Sequence, residues 1–359
     1  MMTAFSDVFA DVTKQGTKLQ TSEYLPSGKY PIIDQGQDDI AGYTDREDGL
    51  FTDVPAIIFG DHTRIVKYVD MPFFLGADGV KVLKATIPDV DYRYLYYAVS
   101  AVKIPNTGYN RHFKWLKEAQ ISLPDLSTQR RIADTLDKVS EGIGLCRKML
   151  GKLDLMVKAK FVEMFGNIPE TEFVTMGSVC SLITDGTHQP PKFVDSGIPF
   201  LFVSNITTNM LTYNAEKFIS AETYAELMKR TPVEIGDILL STVGSYGHPA
   251  IVKSNKQFSF QRHIAFLKPR HNIIDSTFLH SAILTAGVQR QIEAKVKGIA
   301  QKTLNLSEIR TLRFPLPPLQ EQERYAALVK NINKSKLTIQ EIRDKMETEK
   351  LALMQEYFG

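Results

Sequence analysis

ISLPDLSTQRRIADTLDKVSEGIGLCRKMLGKLDLMVKAKFVEMFG, running from Ile121 to Gly166, decides the fold because it returns as FPLPPLQEQERYAALVKNINKSKLTIQEIRDKMETEKLALMQEYFG, from Phe314 to Gly359. The copies align without a gap. They share Leu123/Leu316, Pro124/Pro317, Leu126/Leu319, Gln129/Gln322, Arg131/Arg324, Ala133/Ala326, Lys152/Lys345, Ala159/Ala352, Glu163/Glu356, Phe165/Phe358 and Gly166/Gly359. A segment repeated around an unlike intervening stretch implies a two-fold layout.

Each copy opens with a short apolar run stopped by proline. The first then carries Ile132, Leu136, Val139, Ile143, Cys146, Leu150, Leu153 and Val157, alternately four and three residues apart, the spacing of a coiled-coil seam. In the second copy the corresponding residues are Tyr325, Leu328, Ile332, Ile339, Ile342, Met346 and Leu353, in another phase and interrupted at Ser335 and Glu349. Each helix is the natural partner of the other. A helix of roughly 38 residues reaches on the order of 55 Å, more than a globular core requires, so the pair reads as a spacer.

The 359 residues are 43% hydrophobic, enough for two cores, and the net charge of +2 confines any nucleic-acid-binding face to a local patch. No apolar run is long enough to cross a bilayer, and Met1 to Val12 carries acids where a signal peptide carries bases, so a cytoplasmic location is expected. Cys146 and Cys180 are too few for a disulfide framework or a cysteine-based zinc site.

Strands are expected at Tyr30–Ile33, Ala56–Phe59, Arg64–Val69 and Val80–Leu83, with a helix over Asp91–Val102. After the first long helix, strands are expected at Phe200–Val203, Asp237–Thr242, Ala250–Val252 and His263–Leu267, with helices over Ala221–Lys229 and Ser276–Lys295. The fold class is α+β. Two globular α/β domains, 1–123 and 167–316, are separated by two long antiparallel helices, 124–166 and 317–359, that form a coiled coil with a pseudo-two-fold repeat.

With Leu316-Pro317-Pro318-Leu319-Gln320-Glu321-Gln322, its degenerate copy Leu123-Pro124-Asp125-Leu126-Ser127-Thr128-Gln129, Asp185-Gly186-Thr187-His188, Gly236-Asp237-Ile238-Leu239-Leu240 and Met164-Phe165-Gly166, the chain resembles the specificity subunit of type I restriction–modification systems over essentially its whole length. The first copy lacks the second proline and the glutamate of the signature, which bears on its local helix cap. The resemblance implies a subunit with no catalytic centre and no cofactor. Each globule would be a target recognition domain reading one half of a bipartite site in double-stranded DNA. Two methyltransferase subunits, which bind S-adenosylmethionine, would dock on the helices, and nuclease–translocase subunits would join them.

Base edges are read by Arg, Lys, Asn, Gln and hydroxyl side chains on loops that glycine lets approach the groove. The candidates are His62 and Arg64; Asn110, Arg111 and His112; Thr187, His188 and Gln189; Ser245, Tyr246 and His248; Gln261 and Arg262; and Gln301 and Lys302. No metal is expected, since His188 and His248 have no third ligand at suitable spacing. Self-contained methyltransferase chemistry would need an Asn/Asp-Pro-Pro-aromatic loop, and the Pro-Pro pairs Pro190-Pro191 and Pro317-Pro318 do not supply one. A motor would need a phosphate loop, which is absent. The alternative reading is a stand-alone DNA-binding or scaffold protein without restriction partners.

Overall fold

The computed structural model describes residues 2–76, 78–108, 110–298 and 302–359. By packing, the chain divides into two compact units, one comprising residues 1–147 and 340–359 and the other 148–339. Both cuts fall inside long helices, Leu126–Phe165 and Leu319–Phe358, each 40 residues. Each unit therefore holds one globule, the start of one long helix and the end of the other.

In unit 1 a four-stranded antiparallel sheet runs in the order Phe9–Asp11, Val80–Ala85, Ala56–Gly60, Val66–Val69. A three-stranded sheet, Gly42–Thr44, Tyr30–Ile33, Phe74–Leu75, and a pair, Met2–Ala4 with Gln120–Ser122, complete it. Unit 2 repeats the plan. Its four strands are Cys180–Asp185, Ile264–Pro269, Ile238–Ser241 and Pro249–Ile251, its three Lys217–Ile219, Ile198–Leu201 and Ser259–Phe260, and its pair Phe173–Thr175 with Arg313–Pro315. The Cys180–Asp185 strand escapes the sequence reading because it lies at a sheet edge and mixes polar with apolar residues. The helix expected over Ser276–Lys295 is two helices, Ser276–Ile283 and Ala286–Lys295, because the Thr285 hydroxyl accepts from the Val288 N–H and starts a new one.

The repeated glutamine does the same work in both units. In unit 1, Gln129 Oε1 accepts from the N–H of Asp91 at 3.0 Å while its Nε2 donates to Pro124 O at 2.8 Å. In unit 2, Gln322 Oε1 accepts from the N–H of Asp275 at 2.9 Å while its Nε2 donates to Pro317 O at 2.8 Å. Asp91 and Asp275 are the N-caps of helices Tyr92–Ala101 and Ser276–Ile283. Three residues on, Tyr94 packs against Phe358 with ring centroids 5.4 Å apart, and Phe278 packs against Phe165 at 5.1 Å. The start of one long helix and the end of the other thus grip the same small helix.

At the missing second proline, Asp125 supplies the helix cap, its carboxylate accepting from the Thr128 N–H at 3.0 Å and the Thr128 hydroxyl at 2.8 Å. Hydrogen bonds from the Ser127 hydroxyl and then from Thr128 hold its pKa well below the usual carboxylate range.

Helix pairing is antiparallel in each unit. In unit 1 Arg147 meets Glu347 at 2.9 Å, and Gly142 makes room for the Met346 methyl. In unit 2 Lys336 meets Asp154 at 2.5 Å, and Tyr325 stacks edge-on to Phe161 at 5.5 Å. Ile132, Leu136, Val139 and Ile143 are buried, as is Ile332, while Leu150, Leu153, Ile339 and Met346 are half-buried. Ile342 is a correction: it is 46% exposed, and the inward position beside it is Arg343. The four-three spacing in the second helix runs through Ile332, Lys336, Ile339, Arg343, Met346 and Lys350, so an apolar-only pattern slips onto the wrong face.

Two outcomes are expected. Gln129→Ala and Gln322→Ala each leave buried groups unpaired and lower the stability of their own unit by about 1–3 kcal/mol in denaturant unfolding. Because the Asp125 pKa is depressed by folding, its cap stabilises fully above the ordinary carboxylate value of about 4 and is lost as pH falls through the folded value. Protection of the amides at the start of the first long helix, measured against the intrinsic exchange rate at each pH, should therefore fall on acidification, and Asp125→Asn should abolish that dependence.

Candidate nucleic-acid interface

The register of each four-stranded sheet gathers specific loops at one end. In unit 2, Asp185 pairs with Ala265, Ser241 with Ile264, and Leu240 with Pro249, so the loops 186–189, 261–263 and 242–248 all leave the same end. They are tied together through the backbone. The Thr187 N–H donates to Phe260 O at 3.1 Å, that of Arg262 to Thr187 O at 3.0 Å, and that of Thr242 to His263 O at 2.9 Å. Residues 302–304 join the group through Leu304 N–H to Thr242 O at 2.8 Å and Gly244 N–H to Lys302 O at 3.3 Å. Gly186 permits this closeness, since a Cβ there would lie 2.2 Å from the Phe260 carbonyl oxygen.

Unit 1 uses the equivalent end. Phe59 pairs with Val66 and Gly60 with Val80, which brings out loop 61–65 and residues 78 and 79, and the His112 N–H donates to Asp61 O at 2.7 Å to bring in residues 110–112. Gln35 braces these loops, its Nε2 donating to Asp78 O at 2.8 Å and its Oε1 accepting from the His62 N–H at 3.1 Å.

Within this frame the candidates separate. Asn110, Arg111, His188, Gln189, Ser245, Arg262 and Lys302 are exposed; His62, Arg64, Thr187, Tyr246, His248 and Gln261 are half-buried. His112 is a correction. It is 0% exposed, with Nδ1 at 3.0 Å from Asp61 O and its ring against Trp115 at 5.4 Å, and its N–H bond to Asp61 O matches that of the buried Leu304 to Thr242 O. A histidine in a leucine's place holds a loop and presents nothing to a groove. Gln301 lies outside the described residues.

Several of the others carry internal partners. Arg64 holds a left-handed turn, φ 63°, and reaches Ile104 O at 3.4 Å, while His248 Nδ1 lies 3.1 Å from Asn209 Oδ1. Tyr246 donates to Glu293, which Lys302 approaches at 2.7 Å. Burial, with the neighbouring Arg262, lowers the His263 pKa and favours the neutral ring. Arg230, which no local pattern marks, reaches the same end from the turn after helix Ala221–Met228 and pairs with Asp185. Among the described residues no three His, Cys, Asp or Glu side chains gather as a metal site, and no helix is long and apolar enough to cross a membrane.

The model of the type I restriction modification DNA specificity domain family matches residues 3–153 and again 170–348, once per globule. The chain belongs to this family. It is 30% identical over 147 residues to the type I restriction enzyme EcoBI specificity subunit of Escherichia coli, covering 41% of this chain and 31% of that one. Over 242 residues it is 22% identical to the MjaVIII specificity subunit of Methanocaldococcus jannaschii, 61% of this chain and 56% of that one. The chain thus spans a third to about half the length of these curated relatives. The fold matches the crystal structure of a type I restriction–modification S subunit from M. genitalium with TM-score 0.61 and 16% identity, covering 100% of this chain and 96% of that one. A chain from a structure on complex assembly and conformational transition of the type I R-M system matches with TM-score 0.54 and 18% identity, over 99% and 95%.

His112→Ala is expected to lower thermal stability by about 2–4 kcal/mol through the cavity it leaves, with base preference unaltered. Arg111→Ala, at an exposed site, is expected to weaken DNA binding and flatten its salt dependence without destabilising the fold. Calorimetry and fluorescence anisotropy across a salt series check the pair.

Proposed function

We propose that this chain is the DNA sequence-specificity subunit of a type I restriction–modification enzyme, non-catalytic and without a cofactor of its own. The observation that carries the reading is that two units of one sheet plan each gather loops of different side chains at one sheet end. A constant scaffold with unlike loops suits two recognition domains reading the unlike halves of a bipartite site in double-stranded DNA. The family to which the chain belongs, and the names of its relatives, support the same reading.

The partners in this reading are two methyltransferase subunits, which carry S-adenosylmethionine, and nuclease–translocase subunits. They would dock on the long helices. The exposed apolar side chains of the first helix, Leu145, Met149, Leu155, Met156 and Val162, supply hydrophobic surface for such contacts. The residues proposed to meet DNA are the exposed and half-buried loop side chains named above, without His112. The site residues work in a cytoplasmic protein, where the host's DNA is.

The chain alone is expected to methylate and cleave nothing, while addition of methyltransferase subunits yields methylation at one bipartite sequence. Labelled S-adenosylmethionine incorporation checks this, and turnover by the isolated chain would overturn it. Replacing residues 168–313 with those of another family member should change one half-site and leave the other. Spacing is tested by inserting seven residues after Lys148 and seven opposite them after Ile339, which preserves the four-three seam. The helices lengthen by ~10 Å, and the unread gap should grow by about three base pairs in methylation-site mapping.

A further inference from the structure

Arg230 has no motif around it and enters the picture only through folding. Helix Ala221–Met228 ends in a tight turn in which the N–H groups of Arg230 and Thr231 both donate to Leu227 O, at 3.2 and 3.3 Å. The Thr231 hydroxyl donates to the same carbonyl at 3.2 Å and is itself buried, so the backbone that carries Arg230 is fixed. From there the side chain crosses to Asp185, at the end of strand Cys180–Asp185, where one guanidinium nitrogen donates to Oδ1. The other carboxylate oxygen lies 2.9 Å from His188 Nε2. The carboxylate is 15% exposed while the Arg230 side chain is 53% exposed, so the acid sits behind and the guanidinium in front.

A carboxylate at a phosphate-facing surface works against binding unless it is committed to a cation. Asp185 is committed to a cation through Arg230 on one oxygen, and its other oxygen is within hydrogen-bond distance of His188. Holding the guanidinium from one side removes much of the rotamer freedom a long side chain loses on docking. It also leaves further N–H donors on the planar fork beyond the one spent on Asp185. Two parallel donors in that arrangement match the O6 and N7 acceptors of guanine in the major groove.

We propose that Arg230 reads one guanine in the half-site recognised by unit 2, with Asp185 as the positioning residue that aims it. This rests on the reading of the chain as a specificity subunit. The neighbouring Lys229 provides the contrast: it is 74% exposed and, among the described residues, pairs with Glu226, one turn back on its own helix, at 3.0 Å. A cation held that loosely serves phosphate and carries no base preference.

The test is methylation-site mapping on a randomised DNA library with the full chain assembled with its methyltransferase subunits. Arg230→Ala is expected to lower methylation of the preferred sequence by about 5- to 150-fold and to relax one guanine position in one half-site only. Arg230→Lys, which keeps the charge and loses the fork, should relax the same position with a smaller loss of overall binding. Asp185→Asn should relax that position as well, and Lys229→Ala should leave the base profile unchanged. Uniform loss without relaxation in the Arg230 variants would make Arg230 a phosphate contact and overturn the assignment, as would an unchanged profile. Relaxation at a different position in Asp185→Asn would overturn the positioning role. A parent complex with no sequence preference would instead defeat the functional reading itself, and this inference with it.

Discussion

Two buried glutamines, Gln129 and Gln322, carry the constraint on which the rest of the structure depends. Each sits in the first turn of a long helix with its amide spent on both sides, accepting from the N-cap residue of a globule helix and donating to the carbonyl of the proline signature. An amide this deeply buried is tolerated only when paired, and a partner lost leaves an unsatisfied group that costs about 1–3 kcal/mol. The geometry of the bond therefore fixes how each long helix leaves its own globule. The far end of the other helix completes the grip through Phe358 on Tyr94 in unit 1 and Phe165 on Phe278 in unit 2.

Between these anchors the helix pairing is not purely apolar. Lys336, Arg343 and Lys350 stand seven residues apart on the inward line of the second helix. Lys336 answers Asp154, Arg343 lies near Asp344 and Glu347, and Lys350 lies over the Tyr97 ring at 5.7 Å. Burial lowers the Lys350 pKa, and the nearby Arg147 adds to the effect while Asp137 opposes it. Polar groups on a seam reduce stability relative to leucine and penalise a slipped register, since a shift strands them against apolar neighbours. A helix pair held in one register gains from that trade.

The gathering of loops at one sheet end follows from antiparallel registry rather than from any loop's own preference. Once Asp185 pairs with Ala265 and Ser241 with Ile264, the loops beyond them have one place to go. The scaffold is shared by both units, and the side chains on it are not. That division lets loop residues change while the core they stand on remains constant.

The sequence alone was enough to establish the duplication, the two long helices, most central strands and the loops that cluster, because these rest on local signals: a gapless repeat, heptad spacing, β-branched runs and glycine-containing polar stretches. It was also enough to show that Gln129 and Gln322 are equivalent, though not what they bind. The tertiary structure alone decided that each compact unit takes in the end of the distant helix, since Phe165 and Phe358 carry no mark of where they dock. It decided that Ile342 faces out and Arg343 in, because hydrophobicity does not report a basic side chain that lies along a seam with its charge paired. It decided that His112 fills a leucine's position, because a polar residue in a glycine-containing loop reads as exposed until the Asp61 carbonyl and the Trp115 ring are seen to enclose it. Arg230 joined the candidate surface through a pairing across 45 residues with Asp185, and a contact of that range leaves no periodicity or spacing in the chain from which to read it.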